Sequence, residues 1–133
     1  MKFEFLEHTA YMKFRAYGRT LNEAFENAGL AVSSYLAGGK KVKDKIAKSV
    51  ELKGEDEKSL FYNFLDEIIY LLDAEGFLVA RAKVKIKGNS LIGKFYGDKT
   101  GNYDTDEIKA ATYAEMVVRK DKKGWVVQAV MDV

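Results

Sequence analysis

The chain has no cysteine, no proline and a single histidine in 133 residues. Without thiols there are neither disulfides nor thiolate metal centres, which fits a reducing, cytoplasmic setting. One histidine, no cysteine nucleophile and no G-x-S-x-G elbow leave nothing from which to assemble an activated nucleophile. A G-x-x-x-x-G-K-[ST] phosphate loop is missing as well. The composition therefore argues against an enzyme. Neither sign of charge is in large excess: 22 Lys and Arg face 20 Asp and Glu, a formal +2. No global field drives such a chain onto nucleic acid or anionic lipid. No apolar run approaches the roughly 20 residues of a membrane helix. The opening MKFEFLEH carries acids and no long apolar core, so it does not read as a signal peptide.

What is present suits one globular domain over 1–133, with 47% hydrophobic and 32% charged residues. Thr20-Leu21-Asn22-Glu23 has the form of a capping box. Behind it Leu21, Ala24, Phe25, Ala28, Ala31, Val32 and Tyr35 make one helical stripe, which Gly38-Gly39 can close. A second stripe, Leu60, Phe61, Phe64, Leu65, Ile68, Ile69 and Leu72, predicts a helix from about Asp56 to Asp73, with Gly76 beyond its end. Elsewhere the pattern alternates. Strands are expected around Met12–Ala16, Ile46–Leu52, Leu78–Lys87, Leu91–Tyr96, Ile108–Arg119 and Trp125–Met131. Gly88-Asn89 suits a hairpin turn, and Asp121 to Gly124 a charged one. Gly97 to Asp106 reads as a polar, mobile loop. Strands with one apolar face each need a cover on one side only. The expected class is α+β, a largely antiparallel sheet packed by two helices.

Four features invite a chemical reading. Arg81, Lys83, Lys85 and Lys87 lie on one face of one strand, as an RNA-contacting row would. No aromatic interleaves with them to stack bases, so a solvated face that discourages edge pairing is the preferred reading. Asp104, Asp106 and Glu107 cluster before the Ile108 strand but lack the spacing of an EF-hand loop. His8 alone reads as a hydrogen-bonded structural residue. At the other end, Asp132 sets a side-chain carboxylate beside the α-carboxylate of Val133, a corner that a hard cation could use with further oxygen donors.

Several blocks together resemble the archease family. They are Glu7-His8-Thr9-Ala10 with the strand to Gly18, the helix start Thr20-Leu21 to Ala28, Phe64-Leu65-Asp66-Glu67 with Asp73 to Phe77, Ile108 to Tyr113, and Val130-Met131-Asp132-Val133. Each is modest alone, but they follow the family's order along nearly the whole chain. The resemblance implies a small α+β protein that promotes guanylylation, and hence turnover, of the RtcB-type tRNA-splicing RNA ligase without sealing RNA itself. It also admits an alternative, a protein-binding or chaperone-like module for tRNA-processing or tRNA-modifying enzymes. The expected partner is the ligase, with no membrane and no direct nucleic-acid binding.

The resemblance further implies a divalent cation (Ca, Mg or Mn) held by an Asp after His-Thr-Ala, the penultimate Asp and the C-terminal carboxylate. The last two map onto Asp132 and Val133, the first onto Tyr11. A phenol with an ordinary pKa near 10 is a poor ligand for a hard cation. The family's histidine after Thr-Tyr is also replaced, by Ala114, while Lys109 matches a lysine that matters in the family. Glu7, His8, Lys109, Asp132 and Val133 are retained. A site weakened by Tyr11 and Ala114 is the expectation.

Overall fold

A computed structural model describes all of residues 1–133, as two helices and eight strands in two antiparallel sheets. Helix α1 (Leu21–Leu36) begins where its cap predicts: Thr20 Oγ1 accepts from the Glu23 N–H at 3.1 Å. The Glu23 carboxylate reaches one residue further back than a standard box, to the Arg19 N–H at 3.2 Å. Gly38 and Gly39, both at positive φ, follow the end of α1. Helix α2 (Glu57–Glu75) has a reciprocal box of its own. The Asp56 carboxylate accepts from the Ser59 N–H at 2.7 Å, and Ser59 Oγ accepts from the Asp56 N–H at 3.1 Å. Gly76 closes α2 at φ 61°, ψ 33°, a left-handed turn that favours glycine.

The strands are β1 (Phe3–Leu6), β2 (Tyr11–Gly18), β3 (Ile46–Lys53), β4 (Phe77–Lys87), β5 (Ser90–Lys99), β6 (Ala110–Ala111), β7 (Val117–Asp121) and β8 (Gly124–Asp132). One sheet runs β1-β2-β8-β6, with β7 also on β8; the other runs β3-β5-β4. The helices fill the space between the inner faces of the sheets. A single cluster of 32 buried residues joins both sheets to both helices. At its centre Phe64 of α2 stands 5.3 Å from Phe25 of α1 and 5.6 Å from Phe95 of β5, ring centre to ring centre.

The structure departs from the sequence reading at four places. Phe3–Leu6 forms an edge strand on β2 that four residues of pattern do not reveal. The alternation expected along 78–87 breaks at a bulge between Val79 and Arg81, so that Leu78 and Val79 are both buried. The expected loop 97–106 is anchored instead. Gly97–Lys99 finishes β5, a 3₁₀ turn covers Thr100–Asn102, and the Asp106 N–H donates to the Leu36 carbonyl at 2.8 Å. Asp98 is only 3% exposed, and its carboxylate accepts from the Tyr103 hydroxyl and the Lys99 N–H, both at 2.8 Å. These bonds, Tyr103's foremost, hold its carboxyl below the usual range. Finally, the strand expected over Ile108–Arg119 is two short ones. Glu115 separates them at φ 53°, a left-handed conformation uncommon outside glycine.

Candidate functional site

Register decides what meets at the end of the five-stranded sheet. β2 and β8 pair so that Tyr11 lies opposite Asp132, and β6 sets Ala110 opposite Asp132 from the other side. Their neighbours Met12, Met131 and Ala111 are core residues. Alternation then puts Tyr11 and Asp132 on the outer face. The Lys109 N–H donates to the Asp132 carbonyl at 2.7 Å, bringing the exposed Lys109 beside the last residue, Val133. The structure thus gathers Tyr11, Lys109, Asp132 and Val133 at one corner, across about 120 residues of chain. Glu7 is exposed just past β1.

His8 is held by a residue that the sequence reading passed over. Its Nε2 lies 3.0 Å from Glu115 Oε2, and Lys13 Nζ donates to Glu115 Oε1 at 3.0 Å. The Lys13 hydrogen bond, followed by that of His8, holds the Glu115 carboxyl below the ordinary carboxylate range. His8 Nδ1 lies 3.3 Å from the Thr9 carbonyl, and the ring meets Tyr11 edge-on at 5.3 Å. A carbonyl and a carboxylate only accept, so a protonated ring satisfies both contacts and a neutral ring only one. The Glu115 carbonyl also accepts from Gln128 Nε2 at 2.8 Å, fixing the turn against β8. Nothing local marks Glu115 in the sequence, because its partners lie more than 100 positions away. The neighbouring Ala114 is exposed and presents only a methyl group.

These donors make up only part of a cation site of the implied kind. Nowhere do three His, Cys, Asp or Glu side chains stand together closely enough to hold a metal. The corner offers the Asp132 carboxylate, the Val133 carboxylate that the resemblance implies and, in third place, a phenol. Calcium takes six to eight oxygens, and magnesium an ordered octahedron. The donor set falls short by the charge that Tyr11 does not carry. Asp104, Asp106 and Glu107 are exposed and form no such group either.

The row of Arg81, Lys83, Lys85 and Lys87 is exposed along β4, as expected. The premise that no aromatic shares its face needs correction. Beyond the bulge, Arg81 pairs with Tyr96 of β5, and the guanidinium carbon sits 4.0 Å from the centre of the Tyr96 ring. A second basic run, Lys40 to Lys45, which the sequence reading also passed over, lines a hollow that Arg81 borders.

Taken together, the architecture is that of a small α+β protein with two helices inside two antiparallel sheets, and no helix is long and apolar enough to cross a membrane. The sequence profile of the archease protein family (MTH1598/TM1083) matches residues 3–133. Protein archease of Pyrococcus furiosus is 39% identical, with 99% of each chain covered. That of Sulfurisphaera tokodaii is 36% identical over 99% of each chain. Among solved structures, Methanobacterium thermoautotrophicum protein 1598 superposes with a TM-score of 0.79 at 32% identity, covering 98% of both chains. A Thermotoga maritima archease, described as a possible chaperone, shares the fold with a TM-score of 0.67 at 24% identity, over 96% of this chain and 94% of its own. The chain belongs to the archease family.

Proposed function

We propose that the protein is an accessory factor of the RtcB-type tRNA-splicing RNA ligase, promoting its guanylylation by GTP. The observation that carries this reading is the register that brings the backbones of Tyr11, Lys109, Asp132 and Val133 to one end of the five-stranded sheet, at the positions the family resemblance singles out. Lys109 offers a cation for a carboxylate of the ligase or a phosphate of its nucleotide. Glu115 holds His8 and Lys13 beside Tyr11 and keeps that rim in one arrangement. Asp132, with the Val133 carboxylate that the resemblance implies, keeps part of the implied cation site, so any divalent ion is held weakly here. The protein positions groups for the ligase and carries out no bond-making of its own.

The test is the rate of ligase guanylylation with GTP and a divalent metal, with and without this protein. Acceleration by the chain as it stands is expected, with Lys109→Ala losing most of it. The Tyr11→Asp/Ala114→His double variant should need less metal for the same rate. Absence of both ligase binding and acceleration would end the reading. A second reading, a protein-binding module for tRNA-modifying enzymes, is favoured by Tyr11 being 45% exposed where the family resemblance implies an acid. It predicts suppressed aggregation of such an enzyme, lost in Tyr11→Asp, with no effect on the ligase.

A further inference from the structure

We infer that the outer face of the three-stranded sheet binds single-stranded nucleic acid. Pairing places Lys83 opposite Lys94 and Lys87 opposite Ser90, with Lys53 of β3 across from Ser90 on the other side. With Arg81 and Lys85, the face holds six cations and one acid, Glu51, on a chain whose total charge is only +2. The remainder of the molecule is therefore net acidic, and the positive field is concentrated here. Across the β4 edge it continues into Lys40, Lys41, Lys43 and Lys45, around a hollow of about 740 Å³ bordered by Arg81. Asp44 offsets part of this charge through its 3.1 Å contact with Arg81 Nε.

Charge alone would fit any polyanion; the rest of the face selects among them. A hollow of about 560 Å³ lies over the middle of the sheet, between Lys83 and Lys85 on one side and Ser49 and Glu51 on the other. Tyr96, Ile92 and Gly93 of β5 help to line it. Ile92 is 56% exposed, and the Tyr96 ring is already stacked by Arg81, a pairing that orients both planar groups. Alternate residues along β4 are ~6.8 Å apart, a spacing suited to successive phosphates of an extended strand. A row of cations flanking an aromatic and apolar floor is what a backbone with unstacked bases requires. A duplex hides its base faces, and an acidic protein surface has no use for the stacking platform.

The inference does not depend on the ligase, because binding is measured on the protein alone. The probe is a fluorescein-labelled oligouridylate of about 12 nucleotides, followed by anisotropy between about 50 and 200 mM salt. Binding that weakens steeply with salt is expected, and Lys83→Gln/Lys85→Gln should flatten the log–log slope by about 1.4. Tyr96→Leu should weaken binding at least about fivefold with the slope unchanged, while Tyr96→Phe retains it. Circular dichroism confirms that each variant is folded. No binding at low salt overturns the inference. So does heparin, a polyanion without bases, binding as tightly as the oligonucleotide while Tyr96→Leu changes nothing. That result would make the face a docking surface for acidic partners.

Discussion

At the scale of single residues, Glu115 organises the rim beside the corner through partners distant in the sequence. Its carboxylate joins Lys13 of β2 to His8, and its backbone makes the left-handed turn that divides β6 from β7. A folded-state pKa below the unfolded one means that the link is complete above the ordinary carboxylate range and is lost as pH falls through the depressed value. The side chain is 51% exposed, so solvent screens the gain and thermal stability is a poor readout. An NMR titration of the Glu115 side-chain carboxyl is the direct one. It should titrate below free glutamate, and Lys13→Met should move it back upward by more than His8→Phe does. An unchanged titration in Lys13→Met would refute the assignment. Tyr11 and Ala114 tell the opposite story. Both departures were legible in the sequence, whereas the partner that now organises His8 was not, because tertiary approach alone reveals it.

Elements whose cause is local were the readable ones. The stripes of α1 and α2 repeat over four to five turns, and the caps at Thr20 and Gly76 lie where the stripes begin and end. Elements decided by their neighbours were not. β1 is four residues held by β2, and the anchoring of 97–106 depends on a buried Asp98 meeting Tyr103. The bulge after Val79 decides which β5 residue faces Arg81, and thus whether the basic row has an aromatic beside it. Gly76 shows how such joints can be tested. It closes α2 in left-handed geometry, its carbonyl accepts from the Thr100 N–H at 2.9 Å, and an added Cβ would sit 3.3 Å from Thr100 Oγ1. Gly76→Ala should cost about 1–2 kcal/mol for the backbone conformation alone, with a further increment from the Thr100 contact. Gly38→Ala, at φ 62° in open space, should cost less. Urea denaturation of the two variants decides it, and an equal or reversed order would remove the Thr100 contact from the account.

At the scale of the molecule, both functional surfaces hang on one core, and whether the chain behaves as one unit depends on that core. The exposed corner belongs to the five-stranded sheet and the basic face to the three-stranded one, and the Phe25–Phe64–Phe95 contacts run through α1 and α2 to reach the second sheet. Phe64 is fully buried, so truncation to alanine leaves a cavity and should cost about 3–5 kcal/mol. The single tryptophan, Trp125, sits on β8 in the other sheet. If the sheets fold as one cooperative unit, Phe64→Ala lowers the urea midpoint seen by Trp125 fluorescence as much as that seen by far-ultraviolet circular dichroism. Both probes should shift together with an unchanged m-value, because the surface exposed on unfolding is the same. A tryptophan transition that stayed at its original midpoint while the circular dichroism midpoint fell would mean two folding units. Coincident transitions would place both surfaces on one cooperative core.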